Sequence, residues 1–364
     1  MHPGFPGIGP LAGNVAGPAG VHPGVPTADT PLQKLGFLTI GTFDGDDPRP
    51  GMEALLTQIQ LGEELGFDSA WLRHRHLQYG VSSPVAIMAA ASQRTSRIEL
   101  GTAVTPLGWE NPVRLAEDLA TVDLLSGGRI NPGVSAGPPM RWDDIKDLVY
   151  PDTADVEDFS YTRVTRFLRA VGGEPVATAG TQGIEVYSDR VQPHSPGLRE
   201  RVWLGAGSLR SATWAAEHRL NLLTSSVLSG AEGTDFAAIQ GEQIAAYREA
   251  HPEGRVSQGL VVIPTDTATR EQREKYEAYA AARLPRTREP QGPGKLLFAP
   301  DVVGTSEQIA EQLHAHAGFR QVAEVAFALP FSFEHEDYVQ ILTDMATRLG
   351  PALGWRPREF TQGA

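Results

Sequence analysis

The chain has 364 residues, with 44 acidic against 31 basic side chains for a net charge of −13, and no cysteine. Its length suits one α/β barrel with insertions, since such barrels typically run to roughly 250 residues and often more. The acidic balance, without any basic run, argues against a nucleic-acid surface. The lack of cysteine excludes disulfides, thiolate metal sites and cysteine nucleophiles. No apolar run approaches the roughly 18 residues of a membrane span, and the amino terminus shows no signal-peptide pattern, so the expectation is a cytoplasmic protein without a membrane partner.

Residues 1–30 are dominated by Gly, Pro and Ala without periodicity, which reads as a flexible segment preceding one domain over 31–364. From Leu35 onward, short apolar runs alternate with longer helical ones, the signature of βα units. Eight strands are expected: Leu35–Gly41, Asp68–Arg73, Ile98–Val104, Ile130–Ser135, Val202–Ala206, Asn221–Ser225, Gln258–Pro264 and Val322–Leu329. Eight parallel strands close a TIM barrel. Met52, Leu55, Leu56 and Ile59 mark the first helix, and Ser83-Pro84 opens the second. Asn111 stands as N-cap ahead of Pro112, Leu115, Leu119 and Val122 follow at helical spacing, and Ser126-Gly127-Gly128 turns the chain back. Two stretches break the rhythm. One insertion follows strand 4, between Gly137 and Arg201, with a helix expected over Val156–Val171 and an extended piece around Ile184–Tyr187. A second follows strand 7, between Leu284 and Gly304, rich in Pro, Gly and Arg; its length suggests a functional lid.

Active groups of an α/β barrel sit at the carboxyl ends of its strands. Those ends are poor in acids and rich in small and hydroxylic residues, which suits a large planar ligand bearing a phosphate. Residues 203–218, WLGAGSLRSATWAAEH, end a strand in Gly205-Ala206-Gly207 and begin a helix near Ser208. Free N–H groups there, with the Ser208 and Ser211 hydroxyls, form an anion nest, although an ordinary capped βα turn has the same sequence. The second strand ends in His74-Arg75-His76. A His-x-His pair at a barrel strand end also occurs in metal-dependent amidohydrolases, but that function needs His and Asp ligands at later strand ends, and none is found, so no metal is expected. Trp71 and Trp214 read as packing groups, Arg129 as a partner of backbone or a carboxylate at the barrel bottom, and Asp143-Asp144 as a solvated face or helix start.

With LAEDLATVDLLSGGR at its centre, the stretch from Arg97 to Gly137 strongly resembles the bacterial-luciferase-like family of flavin-dependent monooxygenases. The resemblance runs over roughly Leu35 to Trp355. It implies that Gly207, Ser208 and Ser211 hold the flavin phosphate, and that the flavin ring lies against Thr102, Ala103 and Val104, often over a non-proline cis peptide, here Ala103–Val104. Asn111 and Ser135 match family positions near the ring. Where family members usually carry Glu-His-His, this chain has His74, Arg75 and His76. Arg75 thus replaces the usual catalytic His, and can stabilise an anionic reduced flavin but cannot act as a base. His76 or His74 remains to exchange protons. The implied activity is oxygenation of an organic small molecule with O2 and reduced FMN. A separate flavin reductase would supply the FMN, since no nicotinamide-binding Gly-x-Gly-x-x-Gly unit is present. A deazaflavin-dependent oxidoreductase of the same fold and a non-catalytic flavin-binding protein remain as alternatives. A homodimer is expected.

Overall fold

The computed structural model describes residues 31–331 and 333–357; the segment expected to be flexible, 1–30, lies outside them. Eight parallel strands form a ring: β1 (Lys34–Thr39), β2 (Ser69–Leu72), β3 (Glu99–Thr102 with Thr105–Pro106), β4 (Ile130–Asn131 with Gly133–Ser135), β5 (Trp203–Gly205), β6 (Asn221–Thr224), β7 (Val256–Gln258) and β8 (Glu324–Ala328). Each pairs with the next, and β8 pairs with β1, which leaves no open edge.

Two neighbouring strands are interrupted. β3 breaks at the cis peptide bond Ala103–Val104, where the resemblance placed it, and β4 breaks at Pro132, which has no N–H to give the ladder. Thr102 stitches the gap: its hydroxyl donates to the Gly133 carbonyl at 2.7 Å and accepts from the Gly133 N–H at 2.9 Å. Only glycine fits there, because a methyl group at Gly133 would stand 1.9 Å from the Thr102 carbonyl oxygen.

Most helices start where the caps place them. α1 (Pro48–Glu64) buries Leu55, Leu56 and Ile59, α2 (Pro84–Ser92) follows Ser83, and in α3 (Pro112–Ser126) Asn111 accepts from the Val113 and Arg114 N–H groups. Gly127 ends α3 at φ +73°, a left-handed conformation. Arg129 donates to the carbonyls of Ser92, Thr95, Ser126 and Ile98, tying the turn before β4 to α2.

The first insertion corrects two expectations. Its helix α5 spans Tyr161–Val171 and not Val156–Val171, because Ser160 caps it by accepting from the Thr162 N–H; only a 3₁₀ turn occupies Ala154–Val156. A further helix, α4 (Trp142–Val149), carries Asp143 and Asp144 in its first turn. The extended piece expected over Ile184–Tyr187 is the turn residue Ile184 and one arm of a hairpin, Glu185–Tyr187, paired with Gly180–Gln182. The expected seventh strand is also redrawn. β7 starts earlier, at Val256, while Val262–Pro264 leaves the ring to pair with Val302–Gly304. An apolar run buried on all sides has no alternation to show which neighbour it pairs with.

α6 (Leu209–Glu217), α7 (Phe236–Ala250), α8 (Arg270–Arg283), α9 (Ser306–Ala315) and α10 (His335–Asp344) complete the outer layer. The second insertion, between α8 and α9, is held against the barrel. Leu297–Phe298 pairs with Val227–Leu228, Arg283 pairs with Asp301, and Arg286 lies over the Phe298 ring.

Inside the ring, Trp71 and Trp203 meet edge to face at 5.4 Å and fill the middle. Below them Arg255 lies over the Trp203 ring and pairs with Glu99 at 3.1 Å and Glu324 at 2.9 Å, and Lys34 pairs with Glu99 at 2.5 Å. These residues stand at the amino ends of β1, β3, β7 and β8 and fill the floor of the ring, while the two cavities described below lie at the carboxyl end.

Asp123 of α3, fully buried, anchors the return of the first insertion: Ser195 Oγ and Arg201 Nη2 each donate to its Oδ2 at 2.6 Å, and the Ile130 N–H donates to Oδ1. Asp123→Asn leaves Arg201 without its carboxylate and turns an amide N–H towards existing donors. We expect a loss of about 3 kcal/mol in urea unfolding; a change below about 0.5 kcal/mol would remove this anchor from the account of the fold.

Candidate active site

The carboxyl end of β2 runs straight into His74, Arg75 and His76. Arg75 is fixed by its own backbone, whose N–H donates to the Val81 carbonyl at 3.0 Å, and by Nη1, which donates to the His74 carbonyl at 3.2 Å. His74 is buried, and its Nε2 lies 3.1 Å from His76 Nε2. Burial, then the proximity of His76 and Arg75, pushes the His74 imidazole down to about 3, so its ring is neutral. Burial also lowers His76 and Arg75, and, with Arg75 beside it, brings Arg73 down to about 10.

Arg75, His76 and Ser135 line one cavity of about 360 Å³, closed on other sides by Pro106, Trp109 and Met140. This volume falls within the range of small-molecule sites. The cavity is cationic: Arg75 has no carboxylate partner among the described residues, and its buried Nε donates to nothing. Its outer wall comes from the first insertion. Trp109 stacks on Trp142 at 5.2 Å and meets His76 edge-on at 6.0 Å, while Phe159 and Tyr150 pack on Trp142.

Two residues of this neighbourhood escaped the sequence reading. Arg163 of α5, buried, donates to the carbonyls of Leu107 and Glu110 at 3.3 Å and to the Tyr150 hydroxyl at 2.8 Å, and pairs with Glu157. It fixes the loop after β3. That loop carries Glu110, whose Oε1 lies 4.0 Å from His74 Nε2; burial and then the Asp118 charge hold its carboxyl above the usual range. The strand ends are therefore not as poor in acids as expected. No sequence signal marks either residue, because Arg163 binds carbonyls and Glu110 reads as an ordinary residue before an N-cap.

The remaining candidates fall in two other places. Ala103 and Val104 pack onto the Trp71–Trp203 pair at the centre of the ring, and the Thr102 hydroxyl is spent between β3 and β4. Asn111 lies exposed with its side-chain oxygen engaged by the α3 N-terminus. Gly207, Ser208 and Ser211 form the turn between β5 and α6. There Ser208 Oγ accepts from the Ser211 N–H and Ser211 Oγ from the Ser208 N–H, a reciprocal capping box, and the Gly207 carbonyl accepts from the Ser229 N–H at 2.7 Å. The Leu209 and Arg210 N–H groups have no acceptor in this box. Of the sequence-derived candidates, only Arg75, His76 and Ser135 thus share the cavity, with His74 directly behind.

A second cavity, of about 500 Å³, opens over the end of β1, between Thr42, Phe43, Gln58, Phe333 and Tyr338. Among the described residues no helix is long and apolar enough to cross a membrane.

Comparison with known proteins places these features. A stretch of 150 residues is 31% identical to the 4-hydroxyprotoasukamycin monooxygenase of Streptomyces nodosus subsp. asukaensis, covering 41% of this chain and 40% of that one. Another of 108 residues is 35% identical to an F420-dependent glucose-6-phosphate dehydrogenase of Amycolatopsis mediterranei, covering 28% and 32%. The chain thus spans well under half the length of these curated relatives. Among solved structures, the oxygenating component of 3,6-diketocamphane monooxygenase from Pseudomonas putida, in complex with FMN, superposes with a TM-score of 0.65 at 14% identity, over 88% of this chain and 99% of that one. The model of the luciferase-like monooxygenase family matches residues 34–321, four fifths of the chain, which therefore belongs to that family.

Proposed function

We propose that the protein is an FMN-dependent monooxygenase acting with O2 on an organic small molecule, and that the cavity beside Arg75 is where the reaction takes place. The observation that carries this reading is a partly buried guanidinium with no carboxylate partner among the described residues and a buried, unused Nε donor, lining a cavity at the carboxyl end of a closed barrel. Burying such a charge unpaired is costly, so the site favours an anion. Reduced flavin is anionic near neutral pH, and the short side chain of Ser135 and the bare backbone of Gly137 leave room for its ring system beside Arg75. The Gly207–Ser211 turn offers N–H donors and a helix dipole for its phosphate.

When bound, reduced flavin supplies the electrons that activate O2. The chain does the rest. Arg75 holds negative charge at the reacting ring through charge-assisted hydrogen bonds. His76, the imidazole that reaches the cavity, holds or passes a proton. The Trp109–Trp142 wall excludes water and faces the substrate. The reductant comes from a separate flavin reductase, since the chain lacks a dinucleotide fingerprint, and the working unit is a homodimer. A deazaflavin-dependent hydride transfer is the second reading, favoured by the matching stretch of the F420-dependent relative. Oxygen uptake and product formation with reduced FMN, compared with activity on reduced deazaflavin, decide between them. Binding of either cofactor without turnover would leave a carrier.

Arg75→Ala should slow oxygen consumption by about 100- to 1,000-fold while weakening FMN binding by less than about tenfold, because an electrostatic stabiliser acts mainly on charge that develops during reaction. Equal losses would make Arg75 a binding residue, and an unchanged rate would remove it from the site.

Ser208→Asp puts a negative charge at the phosphate turn and should raise the Kd for FMN, read by fluorescence quenching, by about tenfold or more. Ser208→Ala serves as reference, since it costs only the cap, about 1 kcal/mol of stability. Unchanged affinity in the Asp variant would mean that the phosphate lies elsewhere.

A further inference from the structure

His74, His76 and Glu110 come together although they lie on two different loops. Their ligand-type atoms all stand within 4.8 Å of one another, with His74 buried and the other two partly buried. The two Nε2 atoms are 3.1 Å apart. Two ligands of one Zn²⁺ ion, each at 2.0–2.1 Å, stand about 3.0–3.4 Å apart depending on coordination geometry, so the imidazole pair already has the separation a metal imposes. The third group adds an independent indication. The Glu110 carboxylate has no cationic partner among the described residues and faces the His74 ring at 4.0 Å, while Arg163 fixes its backbone through the Glu110 carbonyl.

We propose that His74 Nε2, His76 Nε2 and the Glu110 carboxylate form a binding site for a divalent transition-metal ion of the Zn²⁺ or Co²⁺ class. Two imidazoles and one carboxylate are a donor set suited to such ions and leave coordination positions free. Those positions open towards the cavity, because His76 lines it. The Arg75 guanidinium opposes a cation here, and the Glu110 charge offsets it. Completing the site requires the Glu110 oxygen to move in from 4.0 Å of His74 Nε2. This is a different use of the His-x-His pair from the amidohydrolase arrangement, because the third ligand comes from the loop after β3 and not from later strands. An ion bound there would occupy the His76 lone pair and so inhibit any proton exchange through that ring.

The test uses the full chain, free of affinity tags, dialysed against chelator and titrated with Co²⁺ in the absence of flavin. We expect one equivalent to bind with the visible absorption of a low-symmetry Co²⁺ site, and Zn²⁺ to displace it. His76→Ala and Glu110→Gln, both at partly exposed positions and checked for folding by circular dichroism, should each weaken binding by about tenfold or more. Arg75→Ala should tighten it severalfold. Absence of a stoichiometric, coloured Co²⁺ complex would overturn the site and reduce the His74–His76 contact to a hydrogen bond between neutral imidazoles. Binding as tight as the parent's in either His76→Ala or Glu110→Gln would overturn it as well. Because no flavin is present, the result is independent of whether the protein is a monooxygenase.

Discussion

The structure depends on how the floor of the barrel is closed. A ring of eight strands leaves an interior that must be filled, and here the lowest layer is filled by charge: Arg255 lies beneath Trp203 and is held by Glu99 and Glu324, with Lys34 on Glu99. Such a network is costly to bury unless every member is paired. It is paired, and Asn131 links it to the layer above by accepting from Trp203 Nε1 at 3.1 Å. The two tryptophans then complete the plug. With the lower layers filled, the two cavities lie at the carboxyl end, where the strand-end residues are.

At that end the chain does two opposite things. On the β2 side it concentrates positive charge and desolvates it, so that Arg75 lacks a carboxylate and His74 is driven neutral. On the β5 side it builds a turn whose hydroxyls are already satisfied by each other, leaving backbone N–H groups and the helix dipole as the attraction for an anion. Between the two lies the interrupted segment of β3 and β4, where Ala103 and Val104 sit partly buried against the two tryptophans. The proposed cofactor, with an electron-rich ring at one end and a phosphate at the other, would use that distribution of charge.

Much of this was legible because it is local. Apolar periodicity located the strands, and Ser83-Pro84, Asn111-Pro112 and Ser126-Gly127-Gly128 located helix ends, because caps use neighbouring residues. The wording around Ala103–Val104 carried the position of the cis bond. What stayed hidden is what depends on distant partners. Asp123 looks like any helix carboxylate until Ser195 and Arg201 return to it, and Arg163 looks like a surface basic residue of an amphipathic helix until its guanidinium finds carbonyls 53 and 56 residues away. Helix α4 shows in the sequence only as a helix start or solvated face at Asp143-Asp144: it is short, and its apolar residues Trp142 and Ile145 are only partly buried, so they do not stand out as core. The departure of Val262–Pro264 from the ring was unreadable because strands buried on both faces look alike.

The anchoring of the first insertion has a consequence for how this protein can change. Its return is fastened at Ser195 and Arg201 to a buried carboxylate on α3, while the hairpin at 180–187 is exposed along both arms. Lengthening a loop between fixed ends adds only about 0.6 kcal/mol per doubling. The tip can therefore grow, shrink or be exchanged without loosening the ring. The segment nearer the cavity, with Trp142, Tyr150 and Phe159, is under the opposite pressure, since Arg163 binds it to the loop after β3. A single inserted stretch thus combines an anchored, cavity-side segment with an exposed crown, and length changes in the crown are decoupled from the cavity wall.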